Sequence, residues 1–423
     1  MMMPEIVILG TQGFFHHAEP LKRHFGDRLI VEGDYTPHKI LSHKPDLVIT
    51  FEASNPQRGL CTAEMMRSNI ATLLVMDGIQ EWRNTWSRTR GMYKRPLNQP
   101  ALVHKIACLG QVDARLYESW GNAGKCEIVG APRLDELVVR KRSPRTKPLN
   151  GRPMRLLVMT ARTPGFTSEE TEVTLQSLND LQEVLKNRQD IQVVWRISKG
   201  LHIQVGVQNT YNSATGEELN QLLLEMDAVI TTPSTAQLEA MLLGLPTALL
   251  NYHSVPVYTP AAWEVKCKEH IEKALSELAS PPLERMIYQD YCLNDALACQ
   301  SPAMPRLVYL IEQMIKTKRV RDLNPESELK FPNRILENPE LFVSWPSERF
   351  NLENLYPDHP VFGKKDVTQL QSELDAALIT VEQLKDQIKT LTKRLHRIPG
   401  YIFLRDIVRA IQRKFYLGGH YRV

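Results

Sequence analysis

The sequence predicts an α/β protein with two doubly wound, Rossmann-like domains, followed by a coiled-coil helix and a basic amphipathic tail. Two blocks of the chain alternate short apolar runs with amphipathic stretches, and a polar segment with Pro and Gly separates them. A heptad repeat of apolar residues begins near residue 367. Strands separated by helices indicate a parallel sheet covered on both faces. A chain of 423 residues also exceeds the usual size of one core.

The first domain, predicted over residues 1–142, contains six candidate strands. They are Glu5–Gly10, Arg28–Glu32, Asp46–Phe51, Ala71–Met76, His104–Leu109 and Cys126–Val129. Helical patterns lie between them at Phe15–Phe25, Thr36–His43, Cys61–Ser68 and Gln111–Trp120. The aperiodic segment from Ser143 to Gly151 is then typical of an interdomain linker.

The second domain, predicted over residues 152–320, repeats the alternation. Its predicted elements are a strand at Arg155–Thr160, a helix at Ser168–Asn187 capped by Ser168, a strand at Ile191–Ile197 and a helix at Gly216–Met226. Residues 227–252 follow as a βαβ unit, and residues 265–317 are almost entirely helical in pattern.

The βαβ unit is the most informative segment of the chain. Its first strand runs into Thr232-Pro-Ser-Thr235, and a helix starts directly behind this turn. Ser234 or Thr235 suits the N-cap, so backbone N–H groups and hydroxyls meet where a phosphate can bind. Glu239 lies one helical turn further, within reach of the ribose of a bound nucleotide. The alternative is an ordinary cap with a solvated Glu.

Three stretches after residue 320 are predicted to have different characters. Residues 321–365 combine repeated Pro with aromatic residues, which favours an extended strap packed on the body. Residues 366–398 carry the heptads of a coiled coil, or of one long helix packed on its own body. Residues 399–423 form a basic amphipathic segment suited to an anionic membrane surface or to docking on a partner subunit.

The charge balance supports this division. From Lys385 to Val423 ten Lys or Arg stand against two Asp, which gives +8, whereas the whole chain carries +4. The rest of the chain is therefore at −4, and the basic end indicates a nearby anionic surface. The six scattered cysteines are interpreted as reduced packing residues. The sequence contains no apolar run long enough to span a membrane. We therefore expect a cytoplasmic protein that is peripheral to the inner membrane face. A homo-oligomer through 366–398 is expected, and no nucleic-acid partner.

Several of these patterns fall in the order found in GT-B glycosyltransferases. Val129-Gly-Ala-Pro-Arg-Leu-Asp135 resembles the element that precedes the interdomain linker in bacterial cell-surface transferases, and the βαβ unit resembles the family's nucleotide-diphosphate turn. The resemblance covers about residues 1–317 and implies a first, acceptor-binding domain and a second, nucleotide-sugar domain. The Met76–Asn84 segment matches neither the CDP-glycerol phosphotransferase element nor that of the UDP-GlcNAc 2-epimerases.

The resemblance implies glycosyl transfer from a nucleotide-diphosphate sugar to a surface polysaccharide or glycolipid. This chemistry needs a cradle for the leaving diphosphate and a base for the acceptor hydroxyl. The cradle candidates are Ser234, Thr235, Arg196, Lys199 and the loop from Arg162 to Gly165, with Thr163 and Gly165; Glu239 is the candidate for the ribose. The alternative for Arg196 and Lys199 is ordinary surface charge.

The base candidates follow the first and fourth strands of the first domain. Asp77 and His17 are preferred, with Glu81 beside them; turn, capping and solvent roles are the alternatives. Near Trp82 and Trp86, Arg83, Arg88 and Arg90 are candidates for holding an acceptor, because sugars stack on aromatic rings; core packing is the alternative for the two Trp residues. The sequence has no Asp-x-Asp, so a metal-independent transferase without a cofactor is expected, its donor being a substrate. An isomerase of the UDP-sugar 2-epimerase type and a non-catalytic coiled-coil scaffold are the alternative functions.

Overall fold

The structure is a computed structural model that describes residues 4–10, 15–52, 56–86, 98–143, 145, 151–198, 200–208, 216–324, 326–336 and 367–396. The chain divides into two compact units, Met1–Ser347 and Glu348–Val423. Lys199, most of the predicted linker, the strap beyond residue 336 and the tail 399–423 lie outside the described residues.

A six-stranded parallel sheet forms the first half of the first unit. Its strand order is β2-β1-β3-β4-β5-β6, with every neighbouring pair parallel. The strands are β1 (Ile6–Leu9), β2 (Leu29–Glu32), β3 (Leu47–Thr50), β4 (Ala71–Val75), β5 (Lys105–Cys108) and β6 (Cys126–Ile128). The helices are α1 (Phe15–Phe25), α2 (Pro37–Ser42), α3 (Pro56–Arg67), α4 (Trp82–Trp86), α5 (Gln111–Tyr117) and α6 (Asp135–Val139).

A five-stranded parallel sheet forms the second half, in the order β11-β10-β9-β7-β8. Its strands are β7 (Met154–Met159), β8 (Ile191–Arg196), β9 (Ala228–Thr231), β10 (Thr247–Leu250) and β11 (Trp263–Val265). The helices are α7 (Ser168–Leu185), α8 (Leu201–Val205), α9 (Gly216–Leu224), α10 (Ala236–Leu242), α11 (Ile271–Ala279), α12 (Leu283–Ala296) and α13 (Met304–Asp322). The predicted two-sheet, Rossmann-like fold is therefore confirmed; the residue bounds given to the domains stay predictions.

Two details differ from the sequence prediction. The helix predicted to be capped by Ser168 takes Thr167 as its N-cap instead, because the Thr167 hydroxyl accepts a hydrogen bond from the Glu170 backbone N–H. Strand β11 lies at the edge of the second sheet, at the start of the region predicted to be helical. A strand of three residues carries no periodicity by which the sequence identifies it.

The last helix of the first unit, α13, packs on the first sheet although it follows the second. Its buried residues Leu307, Leu310, Ile311, Met314 and Ile315 share one cluster with strands β1, β3 and β4. A separate cluster joins residues of β4 and β5 to residues of β7, β9 and α10. The two sheets are thus connected both by a continuous apolar core and by a helix that returns to the first domain.

The beginning of the predicted strap lies against the first sheet, held by a buried ion pair. Lys105 Nζ lies 2.7 Å from Glu127 Oε1, and the two side chains are 1% and 2% exposed. The Glu127 carboxylate also accepts hydrogen bonds from the backbone N–H groups of Ile335 and Leu336, at 2.8 and 3.0 Å. Lys105 donates to the carbonyl of Pro332. These bonds satisfy two buried charges and fix residues 332–336 on the sheet.

The second unit contributes one described helix, α14 (Val367–His396), whose length fits the predicted coiled-coil segment. All described side chains of this helix, from residue 376 to 391, are exposed. In the part of the chain that the structure describes, none of the helices is both long enough and apolar enough to cross a bilayer.

We expect Glu127→Leu to lower the free energy of unfolding by about 3–5 kcal/mol, because it leaves the Lys105 ammonium buried without its partner. Urea denaturation followed by circular dichroism measures this. Glu64→Leu is the matched control, since Glu64 pairs with Arg67 at the surface, where the two side chains are 37% and 71% exposed. Exposed pairs contribute about 0–1 kcal/mol. Equal losses in the two variants would contradict the assignment.

Candidate active site

Each sheet has one topological switch point, the place where the strand order reverses. In the first sheet it lies between β1 and β3, and in the second between β7 and β9. Loops at the carboxyl ends of strands diverge there and leave a crevice, which is where ligands of open α/β sheets bind. The candidate residues after β1, β7 and β9 flank these two crevices.

The turn after β9 is well ordered by local hydrogen bonds. The Thr232 hydroxyl accepts from the Ala161 N–H at 2.7 Å, which ties the turn to the loop after β7 across the switch point. Ser234 is half-buried, and its hydroxyl lies 3.4 Å from that of Thr231. Helix α10 has only seven residues, so its dipole adds little. The turn therefore presents hydroxyls and backbone N–H groups, rather than a strong helix dipole, at this point of the second sheet.

The first domain meets this turn through the segment after β4. The Ile79 backbone N–H donates to the Thr235 hydroxyl at 3.1 Å. Gly78 approaches so closely that a Cβ at this position would overlap the Thr235 hydroxyl oxygen. The structure thus brings the candidates Asp77 and Thr235 to one point between the two domains, and Gly78 is needed there for close approach of the backbone.

The Gly130–Asp135 segment carries a second cross-domain contact. Gly130 has φ +95°, and a Cβ here would lie 2.9 Å from both the Ala298 carbonyl oxygen and the Ala303 Cβ. Asp135 caps α13 by accepting from the N–H groups of Ala303 and Met304, at 2.6 and 2.9 Å. Between these anchors Arg133 reaches Glu239, with Nη1 at 2.7 Å from Oε1.

Glu239 is the predicted ribose ligand, and it is not solvated. Its side chain is 6% exposed and that of Arg133 is 22% exposed. Among the described residues, only the Oε1 oxygen of Glu239 receives a hydrogen bond. The carboxylate is therefore held in place by Arg133 through one of its oxygens.

Asp77 stands beside these groups as an exposed carboxylate. Desolvation by the surrounding protein raises its pKa, and the negative charge of Glu52 adds to the rise, whereas Arg133 and Arg58 oppose it. Because the side chain still reaches solvent, the shift reflects a crowded cleft rather than complete burial. A raised pKa in an accessible carboxylate suits proton transfer.

Glu81, the third base candidate, belongs to a buried polar network. Its carboxylate forms an ion pair with Arg83, which is 1% exposed. Arg83 also donates to the Pro164 carbonyl at 3.3 Å and to His253 Nε2 at 2.8 Å, both in the second domain. Desolvation raises the pKa of Glu81, and Arg83 opposes the rise. This pairing favours a structural role for Glu81, namely holding the arginine that joins the domains.

The loop after β7 is shaped by packing more than by an open anion site. Thr163 is exposed and lies beside Pro164. A Cβ at Gly165 would lie 2.5 Å from the Thr171 backbone nitrogen, so this glycine lets the loop pack on the first turn of α7. Glu170, in that turn, accepts from the Phe166 N–H at 2.7 Å. A carboxylate thus already occupies the helix N-terminus that a phosphate would use.

The remaining candidates belong to other elements than the contact of Gly78 and Ile79 with Thr235. Arg196 ends β8, and β7 separates that strand from β9. His17 is half-buried at the switch point of the first sheet, where its ring centroid lies 5.5 Å from that of Phe51. Lys199 falls outside the described residues, as does the loop before α1.

An aromatic group borders the same side of the domain junction. Trp86 is 39% exposed, and its indole N–H donates to the Tyr258 hydroxyl at 2.9 Å. The Trp82 and Trp120 rings lie 6.3 and 6.5 Å from Trp86, centroid to centroid. Trp86 is therefore not a core residue, and its hydrogen bond to Tyr258 joins the first domain to the second at the surface.

Site residues that the sequence reasoning missed are mainly arginines. Arg133 lies within the Val129–Asp135 element, so the sequence did carry a signal for it. Arg83 was expected to hold an acceptor, and Arg88 and Arg90 lie outside the described residues. Arg58 and His253 have no such motif. Their roles follow from burial and from contacts between distant segments, which no local pattern records.

Comparisons with known proteins address the fold. No protein-family model matches the chain, and no curated protein matches it. A structure of the UDP-GlcNAc 2-epimerase of Methanocaldococcus jannaschii, in complex with UDP-GlcNAc and UDP, aligns with TM-score 0.50 and 13% identity, over 73% of this chain and 99% of that one. The chain has a GT-B fold.

Two further structures are similar to this GT-B chain at lower scores. A structure of MnaA of S. aureus with UDP aligns with TM-score 0.49 and 13% identity, over 78% of this chain and 100% of the other. The wall teichoic acid polymerase TagF aligns with TM-score 0.46 and 12% identity, over 74% and 89%.

The cross-domain network makes stability depend on pH through His253. Desolvation, with the Arg83 charge, lowers the pKa of His253 from 6.5 to about 4, so the imidazole accepts from Arg83 as the neutral form. Between pH 6.5 and about 4 the unfolded chain binds a proton that the folded chain does not, so stability falls as the pH falls through this window.

The variant His253→Gln keeps a hydrogen-bond acceptor for Arg83 but does not titrate. We expect its stability, measured by urea denaturation, to fall less from pH 7 to pH 4.5 than that of the native chain. Parallel pH profiles of the two proteins would contradict this.

Proposed function

We propose that this protein is a metal-independent glycosyltransferase that moves a sugar from a nucleotide-diphosphate sugar to a surface polysaccharide or glycolipid acceptor. One observation carries the proposal. An accessible carboxylate with a raised pKa, Asp77, stands next to the hydroxyl-rich turn at the second switch point, with Glu239 held at 2.7 Å by Arg133. The GT-B fold supports a donor in this position, and the UDP-GlcNAc 2-epimerase aligned with it is a nucleotide-sugar enzyme by its name.

In the proposed mechanism the donor diphosphate binds the turn of Thr232–Thr235, and the ribose hydroxyls bind Glu239. Asp77 takes the proton of the acceptor hydroxyl as that oxygen attacks the anomeric carbon, and the sugar–diphosphate bond breaks. Arg133 then neutralises charge that develops on the leaving diphosphate. The exposed face of Trp86 stacks an acceptor sugar beside the cleft, since aromatic rings bind the apolar faces of sugars.

A donor panel tests the function. The purified chain is incubated with UDP-, GDP- and CDP-sugars, with and without a glycolipid fraction, and nucleotide release is measured in the presence of EDTA. Acceptor-dependent release supports the proposal. Interconversion of a UDP-sugar without an acceptor, read by NMR, indicates an isomerase instead. Silence with every donor, together with no binding of a nucleoside diphosphate by calorimetry, contradicts both.

We expect Asp77→Asn to lower the rate of transfer by about 10²–10⁴-fold, because the amide cannot accept the acceptor's proton. The nucleoside-diphosphate Kd, measured by calorimetry, is expected to stay within about twofold, since Asp77 does not hold the nucleotide. Asp27→Asn, at an exposed position outside the site, is the matched control. A normal rate in Asp77→Asn rules out its role as the base.

We expect Glu239→Gln to weaken nucleoside-diphosphate binding about tenfold, or about 1.4 kcal/mol, because a neutral amide binds the ribose hydroxyls less strongly than a carboxylate. Calorimetry on the native chain and the variant measures it. Glu172→Gln, on the exposed side of α7, is the control. An unchanged Kd shows that the nucleotide does not contact Glu239.

A further inference from the structure

Helix α14 presents apolar side chains to solvent between Leu378 and Leu391, within the part whose side chains the structure describes. It runs for 30 residues, or about 45 Å at 1.5 Å per residue. Val381, Leu384 and Leu391 are 46%, 50% and 56% exposed. An apolar stripe on an exposed helix favours burial against another helix.

The stripe follows heptad spacing. Placing Val367 at position a puts Leu374, Val381, Ile388 and Leu395 at a, and Leu370, Ala377, Leu384, Leu391 and Ile398 at d. β-Branched residues at a with Leu at d favour two strands. The five a positions and five d positions alternate in steps of three and four and form one apolar seam along the helix. A second copy of the same helix carries the same seam and fits against it.

The charges along the segment indicate the direction of that second copy. Residues 367–382 carry Glu373, Asp375 and Glu382 and no Lys or Arg, a net charge of −3. Residues 383–398 carry five Lys or Arg and one Asp, a net charge of +4. A parallel pair sets the two basic halves side by side, whereas an antiparallel pair sets each acidic half against a basic half. Charged residues beside the seam are known to set helix orientation.

The side chains at and beside the seam agree with the antiparallel direction. With the segments 367–398 fully overlapped, every a position faces a d position of the other copy, and Ala377 lies opposite Ile388. A parallel pair instead places Ala377 opposite Ala377 and leaves a gap, which costs packing energy. Antiparallel alignment also brings the g positions Glu373 and Arg394 of the two copies together, and it does so twice by symmetry.

We propose that α14 forms an antiparallel two-stranded coiled coil with α14 of a second copy of this chain. The partner is therefore the protein itself, and the interface does not depend on the transferase activity proposed above. The ends of the two described helices, at His396 of each copy, then lie at opposite ends of the coil, about 45 Å apart. An antiparallel pair thus separates the two helix ends, whereas a parallel pair puts them next to each other.

Engineered cysteines in the full-length chain test the direction. Leu374 lies opposite Leu391 of the other copy in the antiparallel coil, and opposite Leu374 in the parallel one. We expect Leu374→Cys and Leu391→Cys each to stay unlinked under mild oxidation with glutathione disulfide, and a mixture of the two, refolded together, to give a linked heterodimer. Of the native cysteines, five are buried and Cys267 is partly exposed, and the native chain is the control. Self-linked dimers of each single variant overturn the antiparallel proposal in favour of a parallel coil.

Light scattering tests the association itself. The native chain is expected to be a dimer at micromolar concentration. Val381→Asp, which buries a carboxylate in the seam, is expected to raise the dimer dissociation constant roughly 100-fold or more. Gln383→Asp, at a position outside the seam, is the matched control and is expected to stay dimeric. A monomeric native chain, or equal behaviour of the two variants, overturns the proposal.

Discussion

The close approach at Gly130 determines how the two sheets of this protein meet. A positive φ and two neighbours at 2.9 Å leave no room for a side chain there, so the segment after β6 lies directly on the start of α13. Asp135 then caps that helix and Arg133 points to Glu239. Because α13 fills the core of the first sheet, six residues connect the end of the second domain, the first domain and the cleft between them. The geometry of the site therefore depends on backbone packing before any polar contact is made.

The polar groups expected to receive a nucleotide already have partners across the junction. The Thr235 hydroxyl accepts from Ile79, and Glu239 binds Arg133. A buried carboxylate or hydroxyl left without a partner costs about 1–3 kcal/mol or more, so these contacts stabilise the protein without its ligand. A nucleotide in the proposed position exchanges contacts rather than filling an empty site. Its affinity is then the difference between the new bonds and those it replaces.

The fold could largely be predicted from the sequence, because parallel strands buried on both faces leave continuous apolar runs such as Ile6–Leu9 and residues 228–230. The sequence does not show which side chains from distant segments of the chain contact each other. Glu81 and Gly165 looked like ligand-facing residues next to strand ends, yet the structure uses them to hold Arg83 and to pack on α7. Conversely, the sequence motif contains Arg133, but it does not show that Glu239 is the partner of this arginine. Local spacing indicates where a cleft lies, and only tertiary contacts tell which of its polar residues are already engaged.

Two buried ion pairs illustrate the difference between a structural and an exchangeable contact. Lys105 and Glu127 are 1% and 2% exposed, and backbone groups of the strap complete their hydrogen bonds. If the two side chains separated, each charge would be buried without a partner or water, so this ion pair is fixed. Arg133 is 22% exposed beside an almost fully buried Glu239. Its guanidinium can swing into water while the carboxylate accepts a new donor. In the proposed position, a ligand bearing hydroxyls replaces Arg133 as the hydrogen-bond donor, and for this physical reason we propose Glu239, and not Glu127, as a binding residue.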